Sequence, residues 1–360
     1  MQITKGRVFA QRFYDIADEV DLPLAEKLLK EQQRQPPEVR KARHLRIPHP
    51  PLDVVLQRRA PGIPDVPAAE VRLRVYDVGV LAITFEIALP SPLDADGLVR
   101  FAARVLESEG AITDAGRAIA REVAAAVVPA SKDPKLSELA EDYTIFAIET
   151  TEPTVDAERF RQYLDLGRVL LGEVGALSAQ ERGEVTERWF SYDPNQLVVI
   201  TWNSALVFGK DGLGDLLDLL EVTGMQLLEL RHYDEEVRQS LDGLYDELER
   251  REVTLLSATR YRRLSRTILR LFVDVTEVTE RVENSLQWLG DTWYARVHRA
   301  AVKAFDIPRW QQQLEHKLDL LQEINELIVD QITTRQNLRL EGAIVLLIVF
   351  EIVMAFFKVM

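Results

Sequence analysis

The chain has 360 residues, of which 47% are hydrophobic and 28% are charged, as in a folded rather than a disordered protein. Its formal net charge of −14 argues against nucleic acid as the main partner, because phosphate neutralisation requires clustered Lys and Arg. The absence of cysteine excludes disulfides, thiol nucleophiles and thiolate metal sites.

The N-terminal segment predicts a strand followed by a helix. Residues 6–17, GRVFAQRFYDIA, are rich in aromatic and branched side chains, which favours a strand. Asp21, with Pro23 shortly after it, predicts the start of a helix that extends to about Gln33. The segment has no apolar region of the signal-peptide type, so neither a secretory signal nor a transit peptide is expected.

A proline-rich stretch separates this segment from a predicted hairpin. Residues 36–67 contain eight prolines, which predicts a loop with at most one short strand at DVVLQ. Residues 71–87, VRLRVYDVGVLAITFEI, predict two strands joined by a turn at Asp77–Gly79.

Further strands and helices follow in mixed order. The predicted elements are helices at about 93–108 and 113–127, a strand at 143–150, a helix from Asp156, and strands within 189–208 around a turn at Asp193–Asn195. Such an order predicts an α+β domain over residues 1–210, which we interpret as ferredoxin-like.

Residues 211–339 predict long amphipathic helices, as in a stalk or coiled coil. A seven-residue hydrophobic repeat keeps one seam facing a partner helix, either of the same chain or of another subunit. A second stripe follows the helix break at Pro308. The predicted seam or oligomer residues are Leu264, Ile268, Leu271, Val275, Val278, Val282, Leu314, Leu318, Leu321 and Ile328.

Residues 340–360 predict a C-terminal transmembrane helix that anchors the chain in a membrane. From Gly342 to Phe357 every residue is apolar except Glu351. The Leu, Ile, Val and Phe side chains contribute about −5 kcal/mol to insertion, and a central carboxylate costs about 3 kcal/mol. The predicted anchor residues are Gly342, Leu346, Phe350, Glu351, Phe357 and Lys358.

The length of this stretch is the weaker part of the membrane interpretation. A helix over the stretch reaches about 24 Å, whereas the hydrocarbon core of a bilayer is about 30 Å thick. Snorkelling of Lys358 and local thinning of the bilayer compensate for the difference. The alternative is a helix that is buried on all sides within an assembly.

Several stretches of the sequence are similar to elements of one known protein family. The C-terminal part KLDLLQEINELIVDQITTRQNLRLEGAIVLLIVFEIV resembles the family's last helix and apolar segment. SLQWLGDTWYARVHRAAVKAFDI and GRVFAQRFYDIADEVDLPLAEKLL resemble two further family elements. These stretches resemble the Required for Meiotic Nuclear Division family, also called YagE-like. The resemblance implies a membrane-anchored, oligomer-forming, non-catalytic protein, and it carries over no catalytic residues. The lack of a transit peptide favours a prokaryotic member.

Motifs for catalysis, metals or cofactors are weak. Residues 209–214, GKDGLG, place the lysine in the wrong order for a phosphate-binding loop. His232 with Asp234, Glu235 and Glu236 offers metal ligands, but a solvated helix face is the favoured interpretation. We therefore predict no enzyme activity, no cofactor and no metal.

The sequence thus favours a membrane-anchored, self-associating scaffold of the RMD type. The expected partners are a membrane, further copies of the chain in a homo-oligomer, and unidentified proteins, but not nucleic acid. The bulk of the chain is expected on the cytoplasmic side of a prokaryotic inner membrane. The alternative function is an oligomeric membrane ion pathway, like a magnesium channel in architecture, with Glu351 on the path.

Overall fold

The computed structural model describes most of the chain, in two compact units. The described residues are 1–30, 50–56, 69–186, 189–209, 211–249, 266, 269, 273, 276 and 292–359. One unit comprises Met1–His232 with Thr279–Trp310, and the other comprises Tyr233–Val278 with Gln311–Met360.

Most strands of the first unit form one mixed β-sheet. The described strands are β1 (Gln2–Asp15), β2 (Glu19–Val20), β3 (Leu52–Leu56), β4 (Glu70–Val75), β5 (Val80–Ala88), β6 (Ser131–Lys132), β7 (Ala140–Glu152), β8 (Trp189–Phe190), β9 (Leu197–Ile200) and β10 (Ser204–Phe208). Eight of them are ordered β3-β4-β5-β1-β7-β10-β9-β8, whereas β2 and β6 pair separately. Within the large sheet β7 and β10 are parallel, and the other neighbours are antiparallel.

The helices follow the capping signals of the sequence. They are α1 (Leu22–Lys30), α2 (Ala95–Glu107), α3 (Glu109–Val127), a 3-10 turn (Val128–Ala130), α4 (Ala157–Tyr163), α5 (Leu166–Leu171), α6 (Ala179–Thr186), α7 (Leu213–Glu249), α8 (Thr292–Ala304) and α9 (Ile307–Val359). The Asp94 carboxylate accepts a hydrogen bond from the Gly97 amide (2.7 Å) at the start of α2. Asp156 does the same for α4, through the Arg159 amide at 2.8 Å. Each cap supplies an acceptor to an amide that has no partner within its helix.

One face of the large sheet, the apolar face, is packed with hydrocarbon side chains. On β4 these are Val71, Leu73 and Val75, because successive side chains of a strand point to opposite faces. Phe101 of α2 and Ile112 of α3 belong to the same buried cluster. The apolar face thus forms the core between the sheet and these helices.

The opposite face, the polar face, carries charged and amide side chains among apolar ones. Gln11 and Asp15 of β1 and Arg74 of β4 lie on it and are buried. Gly224 of α7 lies close to it, since a Cβ atom there would be 2.6 Å from the Phe13 ring. The first part of α7 therefore covers the polar face.

The sheet elements confirm the predicted hairpin and correct the predicted sheet type. β4 and β5 flank the predicted turn, where Gly79 has a φ of +85° that favours glycine. The α+β class holds, but the ferredoxin-like interpretation is wrong. The described elements do not follow the β-α-β-β-α-β order of that fold, because β3, β4 and β5 follow one another before α2.

The predicted C-terminal transmembrane helix is also wrong. In the part of the chain that the structure describes, no helix is both long and apolar enough to cross a membrane. Residues 342–357 belong to α9, a helix of 53 residues, and their apolar run is bounded by Glu341 and interrupted by Glu351. The run between these two acids extends about 13 Å, less than half of a hydrocarbon core. The predicted anchor and the membrane localisation derived from it therefore do not hold.

Candidate functional site

The last part of α9 exposes a continuous set of large hydrophobic side chains, which we call the apolar helix surface. Their exposed fractions range from 50% for Ile348 to 72% for Leu346. The members are Leu340, Ile344, Val345, Leu346, Leu347, Ile348, Val349, Phe350, Ile352 and Met354.

The apolar helix surface extends around the whole circumference of α9. Residues 344–350 are consecutive, and successive residues of a helix differ by about 100° in direction. The surface exposes on the order of 1,000 Å², compared with about 300–600 Å² for the largest apolar patch of a typical monomeric protein. Large exposed apolar surfaces of this kind mark interaction sites.

Three of the predicted anchor residues lie on this part of α9. Leu346 and Phe350 belong to the apolar helix surface, and Gly342 is exposed between its members Leu340 and Ile344. The side chains of Glu351, Phe357 and Lys358 lie outside the described residues. The predicted residues are thus part of an exposed helix surface where the sequence interpretation placed a bilayer.

The predicted helix seam is described only in α9. Leu314, Leu318 and Leu321 are at most 5% exposed. Their role between subunits stays a prediction. The other seam residues, Leu264, Ile268, Leu271, Val275, Val278 and Val282 together with the side chain of Ile328, lie outside the described part of the chain.

A second feature, which the sequence analysis missed, is a buried ionic group on the polar face that we call the Arg74 cluster. The Arg74 guanidinium lies 2.6 Å from an Asp218 oxygen and 3.4 Å from a Glu221 oxygen of α7. The Tyr76 hydroxyl donates to the same Glu221 oxygen at 2.6 Å, and the Gln11 amide donates to its other oxygen at 3.4 Å. The cluster joins β1 and β4 to α7.

Neighbouring carboxylates shift the pKa values of two members of the Arg74 cluster, Arg74 and Tyr76. Burial alone lowers the pKa of Arg74, but the carboxylates of Glu221 and Asp218 outweigh it and raise this pKa. Burial and the Glu221 carboxylate raise the pKa of Tyr76 well above its usual value, so the phenol remains a donor. These buried contacts connect α7 to the sheet.

Further along α7, Arg231 and His232 contact carboxylates of the sheet. Arg231 forms an ion pair with Glu141 of β7, and His232 Nε2 lies 3.2 Å from an Asp15 oxygen. Burial raises the pKa of Glu141 to about 7, although Arg231 acts in the opposite direction. Glu141 therefore titrates near neutral pH.

The metal-site alternative for His232 and the acids that follow it can be compared with the contacts of these acids. Asp234 contacts Lys317 at 2.6 Å, and Glu235 contacts Arg238 at 2.5 Å. Among the described residues, no group of three or more His, Asp or Glu side chains could hold a metal ion. His298 of α8 is buried, which lowers the pKa of its imidazole to about 4.

Comparison with known proteins identifies the sheet-bearing region. Residues 5–215 match the family described as "Uncharacterized protein MJ0711, N-terminal domain", and this match covers more than half of the chain. The chain belongs to this family. The protein named "Uncharacterized protein MJ0711" from Methanocaldococcus jannaschii is 22% identical over 221 residues, which are 61% of this chain and 67% of the relative. No solved structure matches the chain.

Membership of the MJ0711 N-terminal domain family replaces the predicted resemblance to the Required for Meiotic Nuclear Division family, which is wrong. A helical hydrophobic pattern and an apolar C-terminal segment are features of many long helices, so they do not identify a family. The MJ0711 match contains nearly all of the large sheet and ends at the start of α7. The apolar helix surface of α9 lies outside it.

Proposed function

We propose that this chain is a self-associating interaction protein, in which the apolar helix surface of one copy binds the same surface of other copies. The observation that carries the proposal is the exposure of Ile344–Phe350 on every side of α9. The proposal assigns no reaction to the chain. It also does not retain the ion-pathway alternative, which requires a spanning helix.

The energetics favour burial of this surface. Removing on the order of 1,000 Å² of apolar area from water contributes on the order of 25 kcal/mol. Bringing molecules together costs about 4–15 kcal/mol in lost translational and rotational freedom. A standard protein interface buries about 800 Å² on each partner, so the apolar helix surface has the area that a stable contact needs.

A second copy is the partner that fits this surface. Residues 342–350 contain no charged side chain, so copies can meet along this stretch without direct charge repulsion, and the acids Glu341 and Glu351 lie at its two ends. The net charge of −14 opposes contacts elsewhere between copies. At about 0.15 M ionic strength, charges further than about 8 Å from the contact are largely screened.

The proposal is tested by measuring the mass of the intact chain by light scattering over a range of concentrations. We expect the intact chain to be larger than one copy and a variant lacking residues 341–360 to be a single copy. Asn337→Arg is the matched control, because Asn337 is an exposed polar residue of α9 outside the surface, and it should leave the mass unchanged. A single-copy mass for the intact chain at every concentration refutes the proposal.

A further inference from the structure

We infer that the assembly contains at least three copies, with each apolar helix surface in contact with at least two others. The inference rests on the proposed self-association and specifies its geometry. It follows from the distribution of the exposed side chains around α9, in addition to their total area.

The exposed side chains cover four different directions of the helix. Leu346, Leu347, Ile348 and Val349 are 72%, 64%, 50% and 51% exposed. At about 100° per residue, these four residues lie about 200°, 300°, 40° and 140° around the axis from Ile344. Every quarter of the circumference therefore carries a large exposed apolar side chain.

A contact between only two helices leaves most of these directions in water. A helix packed against one partner buries a stripe roughly 100° wide. The remaining apolar area would be on the order of 700 Å², still above the about 300–600 Å² of the largest patch on a typical monomer. A second neighbouring helix is needed to reduce it to the ordinary range.

Helix bundles provide this arrangement. In a bundle each helix contacts two neighbours, and the sides that face them and the bundle core are buried together. A closed arrangement of copies in which each has two neighbours requires at least three members. The geometry of α9 thus indicates a bundle of copies and excludes a simple pair.

The number of copies is measured by native mass spectrometry and light scattering of the intact chain. A mass of three or more copies is the expected result. A mass of two copies overturns this inference but leaves the proposed self-association in place, whereas a single copy overturns both.

Arginine substitutions around the helix give an independent test. Four variants, each with a single substitution, are compared: Leu346→Arg, Leu347→Arg, Ile348→Arg and Val349→Arg. We expect at least three of them to weaken association at least tenfold. Asn337→Arg serves as control, and unchanged far-UV circular dichroism shows that each variant is folded. If association is weakened by only one substitution, or by only two whose residues are adjacent around the helix axis, the contact involves two helices and the inference is overturned.

Discussion

The two faces of the large sheet hold their helices by different interactions. On the apolar face, Leu73, Phe85 and Phe146 form one hydrocarbon cluster with side chains of α2 and α3. On the polar face, Arg74 contacts Asp218 and Glu221 of α7 at defined distances. Hydrocarbon packing depends mainly on buried area and shape, whereas an ionic contact fixes which residue of a helix lies over which residue of a strand.

The contrast teaches that neighbouring residues of one strand can serve different purposes. Leu73 and Arg74 are adjacent in β4, and both are buried. Loss of Leu73 removes apolar area, whereas loss of Arg74 leaves buried carboxylates without their main counter-charge. The predictions below separate these two effects.

The largest effect is expected for Arg74→Met. Because Asp218 and Glu221 would lose the guanidinium that compensates their charge, we expect the free energy of unfolding to fall by about 3–5 kcal/mol. Urea denaturation measures the change. The matched control combines Arg74→Met with Asp218→Leu and Glu221→Met, which should recover most of the loss. A loss below 1 kcal/mol in the single variant, measured at the same pH, contradicts an ionic role.

Leu73→Ala tests the apolar face on the same strand. We expect a loss of about 3 kcal/mol, because the substitution removes buried methyl groups and leaves a cavity. Substitutions in the Arg74 cluster should add to this loss without recovering it, as double-variant denaturation would reveal. If the triple substitution in the Arg74 cluster changes the free energy of unfolding by a different amount in the Leu73→Ala background than in the unaltered chain, the two faces are coupled, and the contrast between them fails.

Glu141→Gln tests the titrating carboxylate on the polar face. The pKa of Glu141 is about 7 in the folded chain against an ordinary 4.5, so its contribution to stability is fully present below pH 4.5 and is lost as pH rises through 7. Through Glu141 the intact chain should become about 2–3 kcal/mol less stable between pH 4.5 and pH 7.5, and the variant should lack this change. Denaturation at the two pH values measures it. Glu152→Gln, at an exposed position of the same strand, is the control and should retain the full dependence.

The smallest effect is expected for His298→Asn, and the pH dependence that it removes has the opposite sign to that of Glu141. The pKa of His298 is lowered from 6.5 to about 4, so its contribution is present above pH 6.5 and is lost as pH falls through 4. Between pH 6 and pH 5 the intact chain should lose about 1 kcal/mol of stability through His298, and the variant should lack this loss. Thermal unfolding at pH 6 and pH 5 measures this loss of stability. If the loss is the same in the intact chain and in the variant, His298 is protonated in the folded chain.

Much of the sheet could be predicted because its signals are local. In β4 the alternation of Val71, Arg72, Leu73 and Arg74 indicates a strand, and Asp77–Gly79 indicates the turn that follows. The strand order depends on pairs far apart in sequence, such as β1 with β7, and no local pattern specifies it. For that reason the α+β class was predicted and the sheet type was not.

The Arg74 cluster could not be predicted for a related reason. Alternating arginines in a strand usually mark a solvated face, and Asp218 and Glu221 on α7 likewise resemble a solvated helix side. Only the packing of α7 on the sheet buries Arg74, Asp218 and Glu221 together. A sequence signal does exist, since the two sets have opposite charge, but it identifies no particular pairing.

The apolar end of α9 shows the limit of hydropathy as evidence. The composition of residues 342–357 predicted an apolar helix that needs an apolar environment, and α9 includes that helix. Composition does not distinguish a bilayer from other copies of the chain as the source of that environment. The short length of the apolar run between Glu341 and Glu351 was the sequence feature that argued against a membrane-spanning helix.

The central position of β1 has a consequence for the order in which the sheet forms. β1 precedes both of its neighbours along the chain, since it lies between β5 and β7, whose residues extend to Ala88 and Glu152. During synthesis one edge of β1 therefore remains uncovered until β5 has been made, and the other edge remains uncovered until β7 follows, roughly 7–30 s after β1 at about 5–20 residues per second. A chaperone that shields this segment would act on the stage of biogenesis most exposed to aggregation.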